Sequence, residues 1–192
     1  MKFRGLAARV CGLDPDPRVL QNRHLDEGKI GYGEAIPYGD GIFDLVLADN
    51  VLEHLENPTT VVREVSRVLK PRGLFIARTP NVRHYVPAIA HMTPLWFHKL
   101  FNHLRKRNAE DTFPTLYQAN CRRDLAAVTA AAGLSLDRIA FCEGRPEYLR
   151  FSVPTYLIGI AYERIVNAVS WLKPFRIVIL VQLRKPAESR RV

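Results

Sequence analysis

The sequence predicts an α/β domain built on a mostly parallel sheet, and three observations carry that prediction. Residues 43–48, FDLVLA, are an apolar run broken by Asp44, as expected of a strand covered on both faces. A helical stretch follows, with Pro58 at its start and Val61, Val62, Val65, Val68 and Leu69 at helical spacing. Residues 74–77, LFIA, then form a second apolar strand, and strand, helix and strand in alternation are the signature of a parallel sheet.

Upstream of this unit, residues 9–13 read as a short strand stopped by Asp-Pro-Asp-Pro. Residues 19–24 suit a short helix, residues 30–35 a further strand, and residues 36–41, IPYGDG, a turn-rich connection. Residues 70–73, KPRG, end the central helix. From Asn81 the pattern loosens into aromatic and basic helices over roughly residues 85–106. A clearer helix over 122–132 closes at Gly133, where glycine is favoured just past a helix end. Residues 135–141 and 176–183 read as strands, with an amphipathic segment at about 154–172 between them. No repeat, low-complexity tract or linker divides the chain, so residues 1–192 are expected to form a single domain.

A chain of 192 residues with 47% hydrophobic side chains can bury one sizeable core. Its net charge of +9 is uneven. Residues 1–80 balance 11 Lys/Arg against 11 Asp/Glu, whereas residues 81–192 carry 17 against 8. Basic clusters lie at residues 99–107, at Arg122 and Arg123, and in the tail over 184–191. Such an excess draws nucleic acid, an anionic membrane surface or an acidic substrate, or else is simply a solvated face. Aromatic-basic interleaving and nucleic-acid motifs are missing, so no nucleic-acid partner is expected. Cys11, Cys121 and Cys142 are odd in number and far apart, and the six histidines are scattered. That pattern fits a reducing, cytoplasmic compartment and predicts no metal site. Residues 156–172 are interrupted by Glu163, Arg164 and Asn167, which argues for an amphipathic helix rather than a membrane span of roughly 20 apolar residues.

In open α/β sheets, ligands bind at the carboxyl ends of the strands. Asp14 stands at the end of the first strand, where a carboxylate can accept hydrogen bonds from both hydroxyls of a ribose; Asp16 is the alternative, and both also suit a Pro-containing turn. Asp49 and Asn50 end the next long strand and suit the cap of a helix beginning near Val51. His54 lies four residues after Asn50, so the two can share a helix face, and its imidazole can take up a proton.

The words FDLVLADNVLEHL, RVLKPRG and TPN, with CGLDPDP and GYGEAIPY upstream, resemble class I S-adenosylmethionine-dependent methyltransferases, in particular the small-molecule group. The resemblance covers about residues 10–185 and is strongest over 31–81. It implies a Rossmann-like fold whose last strand is antiparallel, with S-adenosyl-L-methionine as cofactor. Residues 1–81 would then be the cofactor-side half and residues 82–192 a variable, substrate-side half with helical insertions. It assigns Asp14 to the ribose, and sets Asp49 and Asn50 beside the methionine part and the incoming nucleophile. GYGEAIPY matches the adenine frame, but the usual acidic position falls on Tyr32. Either Glu34 serves from a shifted position or the backbone of Gly33, Glu34 and Ala35 meets the base. His54 is the candidate base, although a Glu-His pair here recurs among relatives with different substrates, which argues against an obligatory role. His84, Tyr85, Trp96 and Phe97, and residues 110–117, are substrate-side candidates or else core. The acceptor would be a small molecule or one of glycan or lipid type. One departure stands out: nothing before Val10 supplies the family's opening strand and glycine-rich loop. The fold is therefore expected to be N-terminally incomplete, with cofactor binding impaired or the chain serving as an inactive binding or regulatory subunit. Residues 154–185, apolar and basic, leave room for peripheral membrane contact.

Overall fold

The computed structural model describes residues 3–87, 115–144, 146, 149–150 and 152–187. Trp96, Phe97 and most of the 85–106 and 110–117 segments lie outside the described residues. The elements are β1 (Cys11–Asp14), β2 (Glu27–Ile30), β3 (Phe43–Asp49), α1 (Pro58–Val68), β4 (Leu69–Pro80), α2 (Arg122–Ala131), β5 (Ser135–Cys142), α3 (Val153–Ala168) and β6 (Val178–Arg184). Short 3-10 helices occupy Pro17–Gln21, Leu52–His54 and Ser170–Phe175.

Two sheets result. β1 and β2 pair in parallel as a two-stranded sheet, and a four-stranded sheet runs in the order β3-β4-β6-β5. β3 and β4 are parallel, while β6 is antiparallel to both β4 and β5, so the expected antiparallel last strand is present. Among the described residues the two sheets share no ladder.

The core gathers on one face of the larger sheet. Val61, Val62 and Val65 of α1 and Leu125 and Val128 of α2 pack with Phe75 and Ala77 of β4 and with Ile179, Val181 and Leu183 of β6. The spacing of valines on α1 produces this directly: one apolar stripe faces the sheet. Asn57 caps α1 by accepting a hydrogen bond from the Thr60 amide at 3.1 Å, and Pro58 takes the first-turn position that needs no donor. Gly133 follows α2 with φ of 67°, a left-handed turn that glycine adopts without penalty.

Several expectations are corrected. β2 ends at Ile30, where a strand was expected to begin; residues 31–35 instead bend, with the Ala35 amide donating to the Tyr32 carbonyl at 3.3 Å. Gly31 and Gly33 give such a stretch little side chain to hold against a neighbour. The helix expected over 19–24 is a 3-10 turn shifted to Pro17–Gln21, its start set by Asp16 and Pro17. β3 is not covered on both faces. Val46 and Ala48 pack on the core, but Leu45 and Leu47 are exposed because α1 and α2 cover a single face. Beyond Asp49 the chain makes only the 3-10 turn, whose cap position is Val51 with no side-chain cap bond, so Asp49 and Asn50 cap no helix. Among the described residues no helix is long and apolar enough to cross a membrane.

Candidate functional site

Asp14 ends β1 and is exposed. Its Oδ1 accepts the Asp16 amide at 2.8 Å, which leaves Oδ2 without a partner among the described residues. Asp16, the alternative, is committed: it caps the Pro17–Gln21 turn through the Arg18 amide at 2.8 Å and holds the Arg18 guanidinium at 2.6 Å. The hydrogen bond to Arg18 pulls its carboxyl below the ordinary range. Both line a shallow pocket of about 290 Å³ with Arg18, Val19 and Asn22. Of the two carboxylates, Asp14 keeps the free acceptor.

Gly33, Glu34 and Ala35 sit in the bend after β2, Glu34 and Ala35 being exposed. A Cβ on Gly33 would come within 2.9 Å of Val61 Cγ1, so only glycine lets this bend rest on α1. The next residues are clamped. Glu64 accepts the Ile36 amide at 3.0 Å, and Arg67 donates to the carbonyls of Ile36 and Tyr38, both at 2.9 Å, and pairs with Glu64 and Asp40, both at 2.7 Å. The loop that follows the bend is thus fixed by two side chains one helical turn apart on α1.

At the carboxyl end of β3, Asp49 Oδ1 meets Arg78 Nη1 at 3.1 Å across the ladder. Asn50 has φ of 54°, in the left-handed region that asparagine tolerates better than most residues, and its amide still donates to the Arg78 carbonyl at 2.8 Å. The strand therefore ends in a sharp reversal that turns Leu52 and Glu53 into the core. His54 closes the 3-10 turn, half-buried, so the four-residue helical spacing from Asn50 does not arise.

Sequence reasoning passed over the side chains that organise this edge. Glu53 is buried, and its Oε2 accepts the Thr79 hydroxyl at 3.0 Å; Asn120 donates to Thr79 Oγ1 at 2.6 Å and to the Pro80 carbonyl at 2.9 Å. Burial raises the Glu53 carboxyl above its ordinary range. The Glu53 carbonyl also takes the amides of Leu116 and Tyr117, at 2.7 and 3.2 Å, so the 115–120 segment is sewn to the ends of β3 and β4. Tyr117 has φ of 53°, a costly conformation for a bulky residue. Nothing local in LEHL sets a buried glutamate apart from a surface one; it takes Thr79 and Asn120, distant in sequence, to satisfy it.

His84 and Tyr85 lie just past β4 in a second cluster. His84 is only 1% exposed. Its Nδ1 accepts the Val86 amide at 3.2 Å, which assigns the proton of the neutral ring to Nε2. Nε2 lies 3.5 Å from Glu143 Oε2, beyond a well-formed hydrogen bond. Burial drives His84 down to about 4 and Glu143 up to about 7, although Glu143 accepts the Ile177 amide at 3.0 Å. Tyr85 and Tyr162 stack around the imidazole with ring centroids 4.1 and 5.5 Å away. The pair is packed rather than open to solvent.

Residues 1–77 match the family model of the methyltransferase domain. The match and the methyltransferase relatives that share this stretch support a class I S-adenosylmethionine-dependent methyltransferase family for the chain. An uncharacterized methyltransferase of Mycobacteroides abscessus is 28% identical over 152 residues, 67% of this chain and 58% of that protein. A probable S-adenosylmethionine-dependent methyltransferase of Mycolicibacterium smegmatis is 32% identical over 135 residues, 68% of this chain and 50% of that protein. A ubiquinone biosynthesis O-methyltransferase of Methylobacterium sp. is 34% identical over 84 residues, 40% of this chain and 34% of that protein. The chain thus spans between about a third and three fifths of these relatives. Among solved structures, geranyl diphosphate C-methyltransferase from Streptomyces coelicolor aligns with a TM-score of 0.54 at 15% identity, covering 95% of this chain and 64% of that one. The YcgJ protein from Bacillus subtilis aligns with a TM-score of 0.54 at 17% identity, covering 96% and 85%. These likenesses are of fold. In the order β3-β4-β6-β5 the last strand in sequence is the antiparallel one, as the sequence words implied.

Proposed function

We propose that this chain takes S-adenosyl-L-methionine and directs methyl transfer to a small molecule or to an acceptor of glycan or lipid type. The observation that carries the reading is the unpartnered Oδ2 of Asp14 at the carboxyl end of a parallel strand, beside a pocket, while neighbouring Asp16 is spent on Arg18. A carboxylate so exposed accepts the two hydroxyls of a ribose. The Gly33–Ala35 bend, held against α1, frames the base through its backbone, with exposed Glu34 within the same bend. Asp49 and Asn50 border the reacting end, and His54, four residues after Asn50, is the candidate to take the acceptor's proton.

When bound, the cofactor supplies an electrophilic methyl group on a sulfonium, so the protein's part is alignment and exclusion of water. The 115–120 segment is tied to the Glu53 carbonyl, just past the end of β3 where an acceptor would lie. A lipid-type acceptor is supported by the similarity to the ubiquinone biosynthesis O-methyltransferase of Methylobacterium sp.. Trp96 remains a substrate-side candidate on sequence grounds.

A second reading, a cofactor-poor binding or regulatory subunit, is favoured by the separation of the sheets. Among the described residues no strand pairs with both β1 and β3, and a strand, loop and helix start there would carry the backbone N–H groups that receive the cofactor's carboxylate. Calorimetric titration of the 192-residue chain with S-adenosylhomocysteine separates the two. Binding that falls about 10- to 100-fold in Asp14→Ala, the worth of hydrogen bonds to a charged acceptor, supports the first. A folded chain that binds none supports the second.

A further inference from the structure

α3 is apolar on two sides and uses only one of them. Gly159 and Val166 are buried against the body, and the helix is fastened by Tyr162 Oη, which donates to the Phe175 carbonyl at 2.7 Å, and by Arg176, which donates to the carbonyls of Val166, Asn167 and Phe141 at 3.0 to 3.2 Å. The opposite side is a stripe in solvent. Leu157 is 59% exposed, Ile158 65% and Ile165 54%, with Ala161, Arg164 and Ala168 exposed along the same helical face. In the Ser170–Phe175 turn that follows, Trp171 is 75% exposed and Lys173 is exposed as well. A contiguous apolar patch of this kind marks an interaction surface.

The charges on it choose the occupant. Arg164 and Lys173 have no side-chain partner among the described residues, and over residues 153–175 the single carboxylate, Glu163, lies on the flank of the helix, where it accepts Asn167 Nδ2 at 2.8 Å. We propose that this stripe docks on an anionic lipid surface, with Leu157, Ile158 and Ile165 entering the acyl boundary, Trp171 at the headgroup level, and Arg164 and Lys173 on the phosphates. A second copy of the chain is the poorer fit. Each copy carries +9, with the excess in the half that holds α3, so like faces repel where an anionic bilayer attracts. The inference is independent of methyl transfer, and its test reads no turnover.

The test is flotation of the purified chain with vesicles of phosphatidylcholine and phosphatidylserine, against pure phosphatidylcholine. Two uncompensated cations predict preference for the anionic vesicles by about 30-fold. Leu157→Ser with Ile158→Ser should reduce binding on the order of 100-fold, and Arg164→Glu with Lys173→Glu at least about 30-fold, with circular dichroism unchanged because all four side chains are exposed. Arg122→Glu with Arg123→Glu, a basic pair on another helix, should leave binding unchanged. Losses confined to the α3 pairs support the docking surface. Equal loss from the α2 pair, binding that survives the α3 variants, or no vesicle binding together with self-association in light scattering overturns it.

Discussion

The two halves of this molecule spend their residues differently. Across residues 3–51, which carry Asp14, the Gly33–Ala35 bend and Asp49, Val19 is the only buried side chain. Beyond residue 51, the larger sheet and two helices close a dense core and, among the described residues, bury six polar or charged ones, including Glu53, Thr79, Asn81, His84 and Asn120. The candidate ligand residues therefore stand on the lightly packed half, while stability resides in the other. A side chain saturated by the fold has no acceptor left for a ligand, and of the two candidate carboxylates Asp14 keeps an open oxygen where Asp16 has none to spare.

Mutations should break the two halves unequally. Phe75→Ala, removing a ring 2% exposed, should cost about 3–5 kcal/mol in denaturant unfolding, the usual toll of an aromatic deleted from a core. If it costs no more than Val19→Ala, expected near 1 kcal/mol, the contrast between halves fails.

The buried His84 and Glu143 sharpen the comparison through pH. His84 titrates lower when folded than its ordinary 6.5, at about 4, so the native chain holds fewer protons than the unfolded one and stability rises with pH between those values. Glu143 titrates higher when folded, at about 7 against an ordinary 4.5, so stability falls as pH rises across that window. Arg176 and Glu163 face Glu143 with opposite effects, and burial outweighs both. In the native chain the two trends oppose one another from about pH 4.5 to 6.5. Glu143→Gln, which keeps the acceptor for the Ile177 amide, should expose the rising trend, and His84→Gln the falling one, each on the order of 3 kcal/mol. Slopes of the same sign in the two variants would mean that the pair is not buried as described.

Smaller effects follow. Arg67→Ala frees the carbonyls of Ile36 and Tyr38 and should cost about 1–3 kcal/mol, with protection of the 36–40 amides against hydrogen exchange falling first. Asp14→Asn should move stability by less than about 0.5 kcal/mol, as expected for an exposed carboxylate outside any core, so a loss of ligand affinity there would be a site effect rather than an unfolding effect.

Much of the frame was legible in the chain. The valine spacing of α1, the apolar runs of β3 and β4 and the glycine after α2 each declared an element through local chemistry. What escaped needed partners distant in sequence. Leu45 and Leu47 look like core residues until the helices cover only one side of β3. Glu53 reads as a surface carboxylate until Thr79 and Asn120 surround it. The start of a helix at Asp49–Asn50 was reasonable chemistry, but a left-handed Asn50 and a ladder bond to Arg78 hold the strand one residue longer and leave room only for a 3-10 turn. The Glu64 and Arg67 clamp was half-visible as an acid and a base one helical turn apart, with nothing to say that they would hold the 36–40 loop.

The placement of β6 between β4 and β5 sets the order of events on the ribosome. β5 is synthesised before β6, yet β6 is its only described ladder neighbour, and β4 likewise waits for it across nearly the whole second half of the chain. Until residues 178–184 clear the exit tunnel, two apolar strands present open edges to every other nascent chain nearby. Completion of this sheet thus waits on its last strand, and pairing over so long a loop makes it slow.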